Sequence, residues 1–181
     1  MTINHTDILN FWFETLSPRD WWRKSENLDA QIKNEFARIH ELVASGETMA
    51  WRDTDEGRLA EIIVLDQFSR NMFRGQAASF ACDIQALELS KAAVDAGTHT
   101  RLDQSKTSFV LMPYMHSESL ADHQTALPLF EQFCSESTLD FERRHAAIIK
   151  RFGRYPHRNA ILGRESTAEE IAFLNQPGSS F

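Results

Sequence analysis

The amino-acid sequence predicts an all-α fold of stacked antiparallel helix hairpins, with about seven to nine helices. Three observations carry this. Apolar residues recur at helical spacing through most of the chain, and no apolar–polar alternation lasts long enough for a strand. Only seven Gly and five Pro interrupt 181 residues. The connections between helices are therefore short, which favours antiparallel neighbours.

Each element has its own signal. Thr6 is a cap residue ahead of Ile8, Leu9, Phe11 and Trp12, and Pro18 lies just past the expected end of that helix. Leu28, Ile32, Phe36, Ile39 and Val43 then draw one apolar stripe, with Gly46 as its stop. Further helices are expected over residues 55 to 71, 77 to 96, 103 to 112, 118 to 134 and 138 to 152. A last helix starts at Ser166, where Glu169 completes the spacing of a capping box. Trp21, Trp22 and Trp51 are read as packing between hairpins. The expected core draws on Trp12, Phe36, Ile39, Ile63, Phe109, Phe130, Ile148 and Phe152.

Composition excludes several classes. With 42% hydrophobic and 25% charged residues the chain is not a disordered tail, and it reads as one domain over residues 1–181. A chain of this mass hides roughly 70% of its unfolded surface, so a large apolar core needs no disulfide or metal. No run approaches the roughly 20 apolar residues of a membrane helix. The first residues lack the basic region of a signal peptide. Cys82 and Cys134 match no metal or redox spacing and suit a reducing cytoplasm. A net charge of −7 argues against nucleic acid as a partner. Within it, residues 141–164 carry seven Lys or Arg against the single Glu142.

The chemistry-bearing signals are ionisable residues on apolar stripes. Leu59, Ile62 and Ile63 set a buried face that Asp66 and Arg70 continue, with Asp66 about 20° from Leu59 on an α-helical projection. His145 lies on the face marked by Phe141, Ile148 and Phe152; His123 fills the gap among Leu120, Leu127, Phe130 and Cys134. Phe109 and Met112 put His116 on their side, although Pro113 is expected to end or kink that helix first. These residues form either one shared polar pocket or separate buried hydrogen bonds. His116-Ser117-Glu118 is no Ser–His–Glu triad, because adjacent helical positions do not face each other. Asp66, His116, Glu118, His123 and His145 are ligand types for a metal, but their spacings match no metal motif, and no cofactor fingerprint is present.

The second concentration is Arg151 to Asn159. Gly153 can end one helix, and Pro156 can open a short one through Ile161 and Leu162. The first-turn N–H groups would then join Arg154, His157, Arg158 and Asn159 in an anion site, with Arg154 and Arg158 as the clamp. The alternative is a basic corner paired with the acidic remainder of the molecule. Arg151 within this segment, with Arg74, Arg164, Asp66, Arg70, Glu118 and His123, completes the ligand-binding candidates. His116 and His145 are the candidates for acid–base chemistry.

The chain resembles a bacterial family, domain of unknown function 924. The resemblance rests on residues 65–75 (LDQFSRNMFRG), 112–118 (MPYMHSE), 151–159 (RFGRYPHRN) and 162–167 (LGREST). It implies a tetratricopeptide-like arrangement of stacked helix hairpins and brings no established activity or catalytic residue. The expected function is binding of a small phosphate- or carboxylate-bearing ligand, with or without acid–base catalysis, in the cytoplasm and away from membranes. The alternative is a scaffold that binds a peptide or protein partner.

Overall fold

The computed structural model describes residues 3–179, and among them it contains helices and turns but no strand. In order, the α-helices are α1 (His5–Leu9), α2 (Pro18–Trp22), α3 (Glu26–Ala44), α4 (Asp55–Ile62) and α5 (Ser69–Met72). They are followed by α6 (Asp83–Asp95), α7 (Gln104–His116), α8 (Leu120–Phe133), α9 (Glu136–Phe152) and α10 (Ala168–Leu174). A π-helical segment, Asn10–Thr15, prolongs α1, and another, Ile63–Phe68, joins α4 to α5 in one rod.

Caps explain where the helices begin. Asn4, not Thr6, caps α1, because its side chain accepts from two backbone N–H groups while Asp7 returns the bond. The last helix is capped one residue later than expected, by Thr167 with Glu170. Residues 77–80 form a separate 3₁₀ turn, so α6 starts only at Asp83. Helix α7 does not end at Pro113 but continues to His116. Interior proline costs about 3 kcal/mol; here α7 lies between α6 and α8, and burial of Phe109 through Met115 outweighs that cost.

Two glycines are dictated by geometry. Gly153 ends α9 at φ +68°, where a side chain would be strained. A Cβ on Gly57 would lie 1.8 Å from the Trp51 carbonyl oxygen, so only glycine lets the 3₁₀ turn Met49–Asp53 approach α4.

Packing follows chain order: α6 on α7, α7 on α8, α8 on α9, as in a series of hairpins, with α1 on α4 and α3 on α5. The largest apolar cluster joins α1, α3 and the α4–α5 rod, and includes Trp12, Phe36, Phe68 and Phe109. A second lies between α6 and α9 around Phe130 and Tyr114, and a third gathers Ile148, Ile149 and Tyr155. Of the expected core, only Phe152 is partly exposed; it packs on Phe173. Phe141 lies outside the α9 core face and is 46% exposed, because that face is made by Leu139, Glu142, His145, Ile148 and Ile149. Trp21 packs among Trp12, Phe13 and Phe109, whereas Trp22 is stacked over Phe109 with most of its ring in solvent. No helix of the described residues is long and apolar enough to cross a membrane.

Candidate functional site

The α4–α5 rod places Asp66 in its π-helical segment, whose six residues are all buried. π-Segments are uncommon and recur at functional sites. Asp66 accepts from His116 Nδ1 at 2.7 Å and from Gln67 at 2.5 Å, and pairs with Arg70 Nη1 at 3.0 Å. Burial alone would raise its pKa, but the Arg70 and His116 contacts prevail and hold the carboxyl well below the usual range. Burial and the nearby Arg70 push the His116 ring toward its neutral form, against the pull of Asp66. With Nδ1 bound to Asp66, Nε2 is left as the proton-accepting nitrogen. His116 remains 16% exposed.

Arg70 turns from Asp66 to Asp83, at the start of α6, with two bonds of 2.9 and 3.1 Å. Arg158 reaches the same carboxylate at 3.1 Å from the turn Pro156–Arg158. Its guanidinium lies between the rings of Phe80 and Tyr155, 4.6 Å from each centroid. The Arg158 Nε–H is buried and has no acceptor among the described residues. Burial and the like charge of Arg70 both ease the Arg158 proton off. Two guanidinium groups distant in sequence thus converge on one partly exposed carboxylate, beside an Asp–His pair.

The C-terminus of α7 is closed by the same side chains. A helix end leaves its last carbonyls without backbone partners. Here the Met115 carbonyl accepts from the Tyr155 hydroxyl at 2.5 Å, that of His116 from Arg158 at 3.1 Å, and that of Ser117 from His123 Nε2 at 3.0 Å.

The remaining candidates are distributed elsewhere. The clamp expected of Arg154 and Arg158 does not form: Arg154 holds Glu170, at the first turn of α10, through bonds of 2.7 and 2.8 Å. That contact, with the Thr167 cap, pulls the Glu170 pKa down to about 2. Arg151 pairs with neighbouring Glu169 and lies over Phe152. The anion at the Tyr155 N–H is the protein's own Glu118, held at 2.7 Å and gripped by Arg164 with bonds of 2.7 and 2.9 Å. Asn159 bridges Arg164 and Ser166. Arg74 fastens α5 to α3 by gripping Asp29, outside the cluster.

His123 and Glu142 meet in the interior at 2.7 Å. His145 donates from Nδ1 to the Phe141 carbonyl and packs on Tyr155; burial pushes its pKa down to about 3. His157 lies against the Tyr155 ring, and burial lowers its pKa to about 4. Ser117 donates to Asp122, so it takes no part with its neighbours His116 and Glu118. Among the described residues no three His, Cys, Asp or Glu are grouped to hold a metal.

Sequence reasoning missed Asp83, Phe80 and Tyr155. A helix drawn from residue 77 hides Asp83 in its interior, whereas its place in the first turn of α6 marks it as an anion at a helix start. No local signal marks the two rings that enclose Arg158.

The chain is thus an all-α protein whose helices enclose a cluster of arginine, carboxylate and histidine. It is a member of the family described as bacterial protein of unknown function (DUF924), which residues 8–178 match. Among solved structures, a protein of unknown function from Agrobacterium tumefaciens is similar, with 34% identity and a TM-score of 0.90 over 94% of this chain and 96% of that one. No curated protein matches the chain.

Proposed function

We propose that the protein binds a small phosphate- or carboxylate-bearing ligand at Arg70, Asp83 and Arg158, with His116 as the acid–base group beside it. The observation that carries this reading is the convergence of both guanidinium groups on Asp83, a carboxylate that is 17% exposed. Such an arrangement already has the fork geometry that recognises paired oxyanion oxygens. The rings of Phe80 and Tyr155 fix the orientation of Arg158, and its Nε–H offers a further donor. Asp83 then acts as the internal occupant with which a ligand competes. His116 Nε2, on a ring oriented by Asp66 and held neutral, is suited to take a proton from a bound hydroxyl or water.

Thermal stability measured against inorganic phosphate and succinate, with sodium chloride at matched ionic strength, tests this. Saturable stabilisation by one of the two anions is expected, growing with the logarithm of its concentration. Arg158→Lys should abolish it and Asp83→Asn should strengthen it. No saturable effect on the wild-type protein would overturn the reading. The rival reading, a tetratricopeptide-like stack serving as a peptide scaffold, would then gain if a peptide stabilises the protein independently of Arg158.

A further inference from the structure

We propose that His123 and Glu142 together hold one buried proton more than the same two side chains do in water at neutral pH, and that this proton makes the closed end of α7 sensitive to alkali. His123 is 1% and Glu142 0% exposed, and His123 Nδ1 lies 2.7 Å from Glu142 Oε1. On the other side of the ring, Nε2 faces the Ser117 carbonyl at 3.0 Å. A carbonyl can only accept, so Nε2 carries hydrogen. The Tyr155 hydroxyl, 3.3 Å from Nε2, cannot supply that hydrogen instead, because its own goes to the Met115 carbonyl at 2.5 Å.

With Nε2 protonated, the short Nδ1–Oε1 contact needs a second hydrogen. Either the ring is an imidazolium donating to a carboxylate, or Glu142 is a neutral acid donating to Nδ1. Both forms contain two protons. Free His and Glu at pH 7 contain one between them. Glu142 Oε2 is buried without a partner among the described residues, a poor setting for a bare carboxylate with no proton beside it. Burial also raises the Glu142 pKa, against the opposing pull of His123. Of the titratable groups packed around the pair, His145 faces His123 and Tyr155 faces Glu142, and these two in turn face His116, His157, Arg158, Glu118 and Arg70.

Folding therefore takes up a proton at this pair above the unfolded histidine pKa of about 6.5, and stability falls as pH rises from there. His116, His145 and His157 do not contribute in that range. Burial lowers all three, so they are neutral in both states above about pH 7. Cys82 and Cys134, whose pKa values burial raises, enter only above about 8.5. Burial lowers His40 and His99 as well, and the pair is expected to make stability fall with pH between 6.5 and 8.

Urea unfolding of the full chain at pH 6.5, 7.2 and 8.0 tests this. For the wild type the folding equilibrium constant is expected to drop by up to about tenfold per pH unit. Glu142→Gln, whose amide donates to Nδ1 without a titratable proton, is expected to fold with a flat profile. Should that variant not fold, nitrogen NMR and infrared spectra of the wild type decide. Two protonated His123 nitrogens, or a protonated His123 Nε2 with a buried carboxylic-acid carbonyl band, support the proposal. A bare Nε2 beside an ionised Glu142, or a wild-type profile as flat as that of Glu142→Gln, overturns it.

Discussion

At the scale of single residues, the most exacting demand falls on Asp66. It is 1% exposed and stays charged because three side chains surround it with donors. Removing one member of a buried ion pair leaves the other uncompensated, so Asp66→Asn is expected to cost on the order of 3 kcal/mol. Urea titration at pH 7 measures this. The same variant should release His116 from its single tautomer, seen as a mixed nitrogen spectrum. A second expectation concerns His145, 6% exposed and with a folded pKa of about 3. In the unfolded chain it takes a proton below about pH 6.5, so its stabilising contribution is complete above that pH. It is lost as pH falls toward 3, at up to about 1.4 kcal/mol per pH unit. Unfolding between pH 6.5 and 4.5 should be shallower in pH for His145→Asn than for the wild type.

At the scale of elements, the helix ends govern. Gly153 terminates α9 so that the chain can turn back and bring Tyr155 and Arg158 under α7. A Cβ there meets nothing within 4 Å, so Gly153→Ala carries only the left-handed backbone cost of about 1–2 kcal/mol. Gly57→Ala, by contrast, drives a Cβ into the Trp51 carbonyl and should destabilise by more. A thermal-denaturation comparison of the two ranks them. Helix α10 is fastened by Arg154 on Glu170 and Arg151 on Glu169. Arg154→Ala should therefore expose the segment after residue 163 to limited proteolysis while the far-ultraviolet circular dichroism of the rest persists.

At the scale of the whole molecule, α7 contributes Phe109, Val110 and Met112 to the first apolar cluster and Leu111, Tyr114 and Met115 to the second. A helix shared in this way makes unfolding of the two clusters one event. Trp12, Trp21 and Trp51 all belong to the first cluster, so tryptophan fluorescence reports on it, whereas circular dichroism reports on every helix. Phe130→Ala, in the second cluster, should cost about 3–5 kcal/mol and move both signals together. Separate midpoints would show that the clusters unfold independently.

The helical class, the short connections, the α3 stripe and most of the core were legible in the sequence, because a period of 3.6 residues is a local property of the chain. So was the anomaly of Asp66, His116, His123 and His145 on buried faces, since a polar residue in an apolar stripe needs no neighbour to be noticed. Which charge each one meets was not legible. Asp83 stands 75 positions before Arg158 in the sequence, and no spacing rule relates the α6 start to the turn after α9. The sequence also placed Arg151, Arg154, Arg158 and Arg164 in one basic segment, whereas the fold divides them among Glu169, Glu170, Asp83 and Glu118. Coulomb attraction and hydrogen bonding act over a few ångströms of space, not along the chain, so only the tertiary structure decided which arginine stayed at the corner and which entered the core.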